Sequence, residues 1–239
     1  MSREIVHTFE TNLAWQGVKD CLPTVFGYLG IGFAAGVVQT AAGMNIVEVA
    51  LISMLLYAGS AQFVVASMMV AGAPVFSIVM AIFIVNLRYF LLSASLAPHF
   101  KHFSIGKNAL NGFLLTDETY GIIANRLTKK TPFQFNWLIG LNLTAYVNWI
   151  FANLAGAYFG NWIENPKTFG LDFALSAMFI GLIVLQLLSR KRWSTDLIVA
   201  TVAICITLIT SLFLASGGIN IVLATLIAAT VGMVIEKWK

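Results

Sequence analysis

The sequence predicts an all-α, polytopic integral membrane protein with about six to eight membrane segments. Of the 239 residues, 59% are hydrophobic and only 10% are charged, whereas soluble domains carry roughly 25% charged residues. Several windows of about 20 residues contain no charge, which is long enough to cross a hydrocarbon core about 30 Å thick. The short polar–apolar alternation typical of a membrane β-barrel is absent.

The charged residues and cysteines exclude several other classes of protein. The net charge is +4, but the basic residues lie in short connections between apolar spans, where they set orientation, so no nucleic-acid partner is expected. Cys21 and Cys205 lie in apolar sequence, and His99 and His102 lie in a basic connection, so no disulfide framework or metal site is expected. Nucleotide, phosphate and catalytic motifs are absent, which argues against a cofactor and against an ATPase.

The distribution of charge also predicts the domain organisation. Residues 1–20 contain five charged side chains and lack the basic start of a signal peptide, so we expect a cytoplasmic N-terminal arm. A single transmembrane domain is expected over residues 21–235, with spans near 22–38, 75–97 and 135–159 and three further spans after residue 170. Asp172 and Asp196 are predicted N-caps of two of these later spans. Residues 236–239 form the expected cytoplasmic tail.

Two segments fit a plain membrane crossing less well, namely 46–71 and 109–125. If both cross, about eight spans result, and Lys101 and Lys107 fall on the outer side, against the positive-inside rule. If 46–71 is instead a re-entrant pair of half-helices and 109–125 enters without crossing, every basic cluster and the N-terminus are cytoplasmic. The sequence leaves both topologies open.

The polar interruption of segment 46–71 is a candidate substrate site. Gly59, Ser60 and Gln62 lie at its centre, between apolar runs. A broken helix at mid-membrane exposes backbone polar groups, and the N-terminus of a half-helix favours an anionic group such as a carboxylate. The structural alternative is a kink in which Ser60 and Gln62 hydrogen-bond to a neighbouring helix.

A second candidate lies in the following span. Arg88 precedes Pro98 by ten residues, so it sits about 15 Å from that helix end. An unpaired charge at such depth costs about 3 kcal/mol or more. We therefore expect Arg88 to bind an anionic substrate group or to form a structural ion pair with Asp117 or Glu118. Asn86 is a candidate to bind the substrate amine, although a hydrogen bond between helices would explain an asparagine at this position better.

Asp117 and Glu118 are adjacent acids in an apolar setting. A carboxylate in a low dielectric retains its proton more readily, so these two residues are candidates for proton coupling or for a counter-charge to an amine. The alternative is a wet cytoplasmic helix. Asn142 and Asn153 are eleven residues apart and share a helix face, which indicates a packed or cavity-facing helix.

Several short motifs together resemble one family of membrane proteins. They are Ala-Gly-Ser-Ala-Gln-Phe at 58–63, Gly-Ala-Pro at 72–74, Asn-Leu-Arg-Tyr at 86–89, Ser-Leu-Ala-Pro at 95–98, Leu-Thr-Asp-Glu at 115–118, and Leu-Asp-Phe-Ala-Leu at 171–175 followed by Ala-Met-Phe at 177–179. In this order they resemble the AzlC-type (YgaZ-like) large subunits of branched-chain amino-acid exporters, over residues 20–235. Ser176 and Tyr89 depart from the family pattern, in which proline and histidine are common at those positions.

The resemblance implies the function and the partner. It implies export of hydrophobic amino acids across the bacterial inner membrane by a non-enzymatic transporter that works with a small AzlD-type membrane subunit. A membrane-embedded enzyme and a structural subunit of another complex are the alternatives to this reading.

Overall fold

The structure is a computed structural model that describes residues 3–128, 133–160 and 193–213, together with isolated residues between 162 and 235. The chain forms two compact units, Met1–Leu175 and Ser176–Lys239. All regular secondary structure in the described part is helical, which confirms the all-α class. The predicted N-cap Asp172, the departure at Ser176 and the predicted tail at 236–239 lie outside the described residues.

Seven helices form the described part of the first unit. They are α1 (Arg3–Ala41), α2 (Ile46–Leu55), α3 (Gly59–Val70), α4 (Val75–Leu96), α5 (Ile105–Phe113), α6 (Asp117–Thr128) and α7 (Phe135–Gly160), with a 3₁₀ turn at Ala97–His99 after α4. By length and composition, Leu13–Ala41, Val75–His99 and Phe135–Gly160 can each cross a membrane. The second unit contains α8 (Trp193–Phe213).

One predicted helix start differs from that in the structure. The helix α1 continues from Arg3 through Pro23 without a break, and the expected N-terminal arm would be the first part of this helix. The helix α8 begins at Trp193, three residues before Asp196. The prediction that Asp196 is an N-cap is therefore wrong, because the helix is already under way at that residue.

Close packing of α1 against α7 forms the core of the first unit. A Cβ atom at Gly17 would overlap the Trp137 carbonyl, and one at Gly36 would overlap the Asn153 carbonyl. Gly156 of α7 makes the same close approach to α1. Small residues at these positions let the two backbones touch. Because residue numbers rise together along the two helices, α1 and α7 run parallel.

The first unit has two distinguishable ends. At one end, the Lys107 Nζ atom lies 4.7 Å from the ring centroid of Phe135, and the Arg126 guanidinium lies 4.3 Å from that of Trp137. We call this the basic end. The opposite end is the one at which α7 finishes, at Gly160.

The helix α4 runs antiparallel to α1 and α7. Ile78 in its first half packs in a cluster with Ala157, near the opposite end. Leu96, at its last turn, lines a cavity together with Leu138, near the basic end. The segment α2–α3 therefore has to begin and end on the same side, because α1 finishes and α4 starts at the opposite end.

The packing of α2 and α3 shows this directly. Val49 of α2 and Val65 of α3 belong to the same cluster as Ala157. Between them, the Tyr57 ring lies 5.0 Å from the ring of Tyr146, in the middle of α7. The chain thus enters from the opposite end, turns at mid-depth over residues 56–58 and returns. We call this pair hairpin 1.

The helices α5 and α6 form a second hairpin that enters from the basic end, which we call hairpin 2. Its entrance is at Phe103, whose ring lies 6.0 Å from that of Phe135. Phe113, at the end of α5, reaches to 6.1 Å from Tyr146. The chain turns at residues 114–116, and α6 returns to the basic end at Arg126.

Both segments therefore have the hairpin geometry of the re-entrant alternative, in which each begins and ends on one side. The break in hairpin 1 lies at 56–58 rather than at residues 59–62, so Gly59, Ser60 and Gln62 form the first turn of α3. The pair α1 plus hairpin 1 has the same order of elements as α4 plus hairpin 2, with opposite direction. This is the arrangement of an inverted repeat, which many transporters share.

Replacing Gly36 by alanine should destabilise the protein, since the added Cβ overlaps the backbone of α7. Overpacking of this kind typically costs about 1–3 kcal/mol. The matched control is Gly30→Ala, also in α1, where a Cβ meets no atom within 4 Å. Thermal unfolding in detergent should show a lower Tm for Gly36→Ala alone; equal Tm values for the two variants would contradict the packing.

Labelling from one side of the membrane should distinguish the two topologies. In a variant without native cysteines, Ala42→Cys and Ala73→Cys flank hairpin 1, and Lys101→Cys lies in the connection after α4. A membrane-impermeant maleimide should label Ala42→Cys and Ala73→Cys from the same side, and Lys101→Cys from the other side. If Ala42→Cys and Ala73→Cys are labelled from different sides, α2–α3 crosses the membrane.

Candidate functional site

Arg88 joins the tips of the two hairpins at mid-depth. One guanidinium nitrogen, Nη2, donates to the Ser60 hydroxyl at 2.8 Å, and the other, Nη1, lies 2.9 Å from a carboxylate oxygen of Asp117. Ser60 is in the first turn of α3, and Asp117 is the first residue of α6. The side chains of Arg88 and Asp117 are about one quarter and one fifth exposed. The ion pair with Asp117, one of the two alternatives expected for Arg88, is thus present, and the two contacts of Arg88 connect both hairpins to α4.

Local capping explains why the chain turns just before Asp117. The Thr116 amide donates to the Thr119 hydroxyl at 3.0 Å, and the Thr119 amide donates to the Thr116 hydroxyl at 3.3 Å. This reciprocal arrangement satisfies amides that the start of α6 would otherwise leave unpaired. Asp117 and Glu118 consequently occupy the first turn, where the helix dipole favours negative charge.

Tyr28 of α1 supplies a second connection to hairpin 2. Its hydroxyl donates to Glu118 Oε2 at 3.1 Å and hydrogen-bonds to the Thr116 hydroxyl. Its ring meets the ring of Trp149 edge to face, with centroids 5.8 Å apart. The same indole would meet a Cβ at Gly59, so Trp149 lies between the tip of hairpin 1 and Tyr28. Glycine at position 59 allows this close approach.

Gln62 holds the break of hairpin 1 together. Its Nε2 donates to the carbonyl of Leu56 at 2.8 Å and to that of Ile52 at 3.3 Å, and these carbonyls lie at the C-terminal end of α2. Its Oε1 accepts from Gln39 Nε2 at 3.2 Å, and the same Gln39 nitrogen donates to Asn153 at 3.0 Å. Gln39, Gln62 and Asn153 are fully buried. This network satisfies polar groups that the break would otherwise expose to hydrocarbon.

The remaining predicted residue, Asn86, lies two positions before Arg88 on α4. Its Oδ1 atom is buried and has no hydrogen-bond partner among the described residues. The structure therefore brings Ser60, Arg88 and Asp117 into direct contact, with Glu118 beside them. Gly59 and Gln62 flank Ser60 in the same turn of α3.

Sequence reasoning missed three aromatic members of the site. Tyr28 carries a hydroxyl group in the middle of a glycine-rich span, and this hydroxyl was the available signal. Tyr89 accepts a hydrogen bond from Arg88 at 2.9 Å and stacks on the guanidinium at 4.8 Å, whereas the sequence marked it only as a departure from the family pattern. No local pattern in the sequence distinguishes Trp149 from Trp137, the other tryptophan of α7.

The cluster combines one cation, two carboxylates and two half-helix N-termini at mid-depth, a set that can bind a small zwitterion. Within the described residues, no group of His, Cys, Asp and Glu side chains could hold a metal ion. The chemistry that the described site offers is therefore ion pairing, hydrogen bonding and proton uptake by carboxylates.

Comparisons with known proteins identify a family model and several relatives. A family model described as AzlC protein matches residues 23–163, which include both hairpins and α4. Inner membrane protein YgaZ of Escherichia coli (strain K12) is 29% identical over 71% of this chain and 71% of its own length. The branched-chain amino acid transport protein AzlC of Bacillus subtilis (strain 168) is 24% identical over 78% of this chain and 74% of its own length. No solved structure matches the chain.

A double-mutant cycle should detect the Arg88–Asp117 pair. Arg88→Gln or Asp117→Asn alone leaves one partly buried charge without its ion-pair partner, so each should lower the Tm, and the double variant should regain part of the loss. We expect a coupling energy within about 0.5–3 kcal/mol. The Arg126–Asp20 pair is the control, because it is longer, at 3.7 Å, and Asp20 is 47% exposed. Its coupling should be below about 1 kcal/mol; purely additive losses at Arg88 and Asp117 would contradict the ion pair.

Proposed function

This chain belongs to the AzlC family, and we propose that it is the large subunit of a secondary transporter that exports branched-chain or other hydrophobic amino acids. In this proposal the protein is not an enzyme, resides in the bacterial inner membrane and uses the proton motive force. The observation that carries the proposal is the Arg88 contact between the tips of two opposed re-entrant hairpins. Transporters of the inverted-repeat type bind their substrates at such breaks, near the bilayer midplane.

The carboxylate of the amino acid would bind at the tip of hairpin 1. The first-turn amides of α3 at Gly59 and Ser60 offer the positive end of a helix dipole. The Arg88 guanidinium donates to Ser60 Oγ at 2.8 Å and pairs with Asp117 through its other terminal nitrogen. Both nitrogens together can hold the substrate carboxylate in a forked geometry. Substrate and Asp117 would therefore compete for Arg88.

The ammonium group of the amino acid would meet polar oxygen atoms close by. Asp117 is the nearest acid to Arg88, and the buried Oδ1 of Asn86 is a further acceptor on α4. Gln62 would act mainly by stabilising the break of hairpin 1, since both Gln62 Nε2 and Gln62 Oε1 already have protein partners. In this proposal all five predicted binding residues contribute to one site.

Proton coupling would run through Asp117 and Glu118. When the substrate carboxylate displaces Asp117 from Arg88, the free Asp117 carboxylate can hold either the substrate ammonium group or a proton, but not both. Uptake of a proton from the outer side would therefore release the substrate, and loss of that proton to the cytoplasm would let the next substrate bind. Because proton and substrate exclude each other at this carboxylate, inward proton movement is linked to outward substrate movement.

The orientation follows from the distribution of basic residues. Lys101, Lys107 and Arg126 belong to the basic end of the first unit, while residues 21–87 contain no Lys or Arg. Cytoplasmic connections of membrane proteins carry an excess of these residues. The basic end, and with it the N-terminus, would therefore face the cytoplasm.

The proposed partners are lipid and a small AzlD-type subunit. The helix α4 supports a membrane-embedded position for the site, because its outer side chains are apolar and exposed in the described chain, among them Phe76, Phe83 and Phe90. Coexpression with the small subunit also separates this proposal from a purely structural role, in which the second subunit alone would carry transport.

The function is tested in cells that express the chain with its small partner and are fed dipeptides of leucine, isoleucine, valine or methionine. We expect the internal level of at least one of these amino acids to fall below that of cells that lack the pair. Adding a proton uncoupler should abolish this difference. Arg88→Lys should reduce efflux about tenfold or more, because a lysine cannot keep the forked geometry of arginine. Asp117→Asn should remove the proton dependence.

The matched controls for these variants are Arg126→Lys and Asp20→Asn, the same substitutions in the pair outside the site. Both should export at close to the unmodified rate. Efflux and proton dependence that survive in both Arg88→Lys and Asp117→Asn would overturn the mechanism. Unchanged internal levels of all four amino acids would overturn the substrate class.

A further inference from the structure

A cavity lies between the tips of the hairpins and the basic end. It has a volume of about 220 Å³ and is lined by the last turns of α4, by hairpin 2 and by the first half of α7. A cavity needs only roughly 10–15 Å³ to hold one water molecule, so this one has room for a larger solute. Leu115, in the turn of hairpin 2, lines the cavity and is separated from Asp117 by one residue. The cavity thus adjoins the Arg88 contact on its basic-end side.

The walls of the cavity are largely apolar, with one polar side. Leu96, Leu115, Ile123 and Leu138 line it, and all four are at most 5% exposed. No charged side chain is among the described residues that line it. Burying a net charge there without a partner would be costly, so the cavity favours a solute with an aliphatic body and no net charge.

Three asparagines provide the polar side, and each has one atom without a partner in the described part of the chain. Asn142 Nδ2 lies 3.4 Å from Asn111 Oδ1, and Asn108 Nδ2 donates to backbone carbonyls of Phe100 and Phe103. This leaves Asn111 Nδ2 as an unused donor and the Oδ1 atoms of Asn108 and Asn142 as unused acceptors.

These unused atoms are costly unless a ligand engages them. Asn111 is 4% exposed and Asn142 is fully buried. A buried polar group without a partner typically costs about 1–3 kcal/mol, and here three such groups line one cavity. A carboxylate can accept from Asn111 Nδ2, and an ammonium group can donate to Asn108 Oδ1 and Asn142 Oδ1. The same molecule would place an aliphatic side chain against the leucine and isoleucine wall.

We propose that this cavity is a loading site that binds a neutral, aliphatic α-amino acid on the basic-end side of Arg88. The site deepens the proposed function and rests on it, because it presumes that the solute is an amino acid. Recognition by uncharged amides and an apolar wall selects against lysine, arginine, aspartate and glutamate. The site is distinct from the Arg88 contact, which the solute would reach next.

Binding to the purified full chain tests the loading site. Titration calorimetry with L-leucine should give a dissociation constant that rises about tenfold or more in Asn111→Ala and in Asn142→Ala. The matched control is Asn148→Ala, in the same helix as Asn142, where the amide donates to the Val25 carbonyl at 3.1 Å and does not line the cavity. Its affinity should stay within about twofold of the unmodified chain. L-Lysine should not bind to the unmodified chain under the same conditions.

A second measurement does not depend on how the asparagine variants fold. In a chain without its native cysteines, Ser93→Cys places a thiol in the cavity wall, and Ser95→Cys places one on the same helix outside it. L-Leucine should slow the reaction of Ser93→Cys with a small thiol reagent and leave that of Ser95→Cys unchanged. L-Lysine should protect neither position.

The outcomes distinguish failure of the proposed loading site from failure of the proposed function. If cells expressing the chain export leucine, but leucine fails to protect Ser93→Cys and binds equally to the asparagine variants, the loading site is wrong and the function stands. If the unmodified chain neither exports nor binds any of the neutral aliphatic amino acids, the proposed function is wrong and the loading site falls with it.

Discussion

The arrangement of the first unit depends on one partly buried cation. Arg88 lies in the middle of an apolar helix, where an unpaired charge costs about 3 kcal/mol or more. Its contacts with Ser60 and Asp117 remove that cost only when both hairpins reach mid-depth from opposite ends. The pairing therefore constrains both half-helix pairs at once. It also explains why two interrupted segments occur in the same small unit.

The hairpins are supported by packing against α7, rather than by charge. The helices α1 and α7 touch through glycines along their length, and such contacts leave no room for relative motion without loss of packing. The hairpins rest on the middle of α7 through Tyr146 and Trp149. In the proposed transport cycle, α1 and α7 form the fixed part, and the hairpins move when Arg88 exchanges one partner for another. Each hairpin opens toward its own end, so the two can act as separate gates.

The sequence predicted the features that depend on composition and on isolated polar residues. Charge-free windows predicted the long helices, the positive-inside rule favoured re-entrant segments, and the depth of Arg88 predicted a partner at Asp117 or Glu118. It placed the break of hairpin 1 too late, because Gly59 and Ser60 resemble helix breakers. Gln62 instead bonds back to the Leu56 and Ile52 carbonyls and stabilises a break three residues earlier. Tyr28 and the amide-lined cavity were missed because both depend on contacts between residues far apart in the chain.

The central claim is that the tips of both hairpins form one solute site. Hydrogen–deuterium exchange on the purified chain, with and without L-leucine, tests this claim directly at residues 56–60 and 114–118. We predict that leucine slows exchange at both tips together. Exchange at the glycines where α1 and α7 touch should stay unchanged. Slower exchange at neither tip, in a protein that exports leucine from cells, would contradict the account.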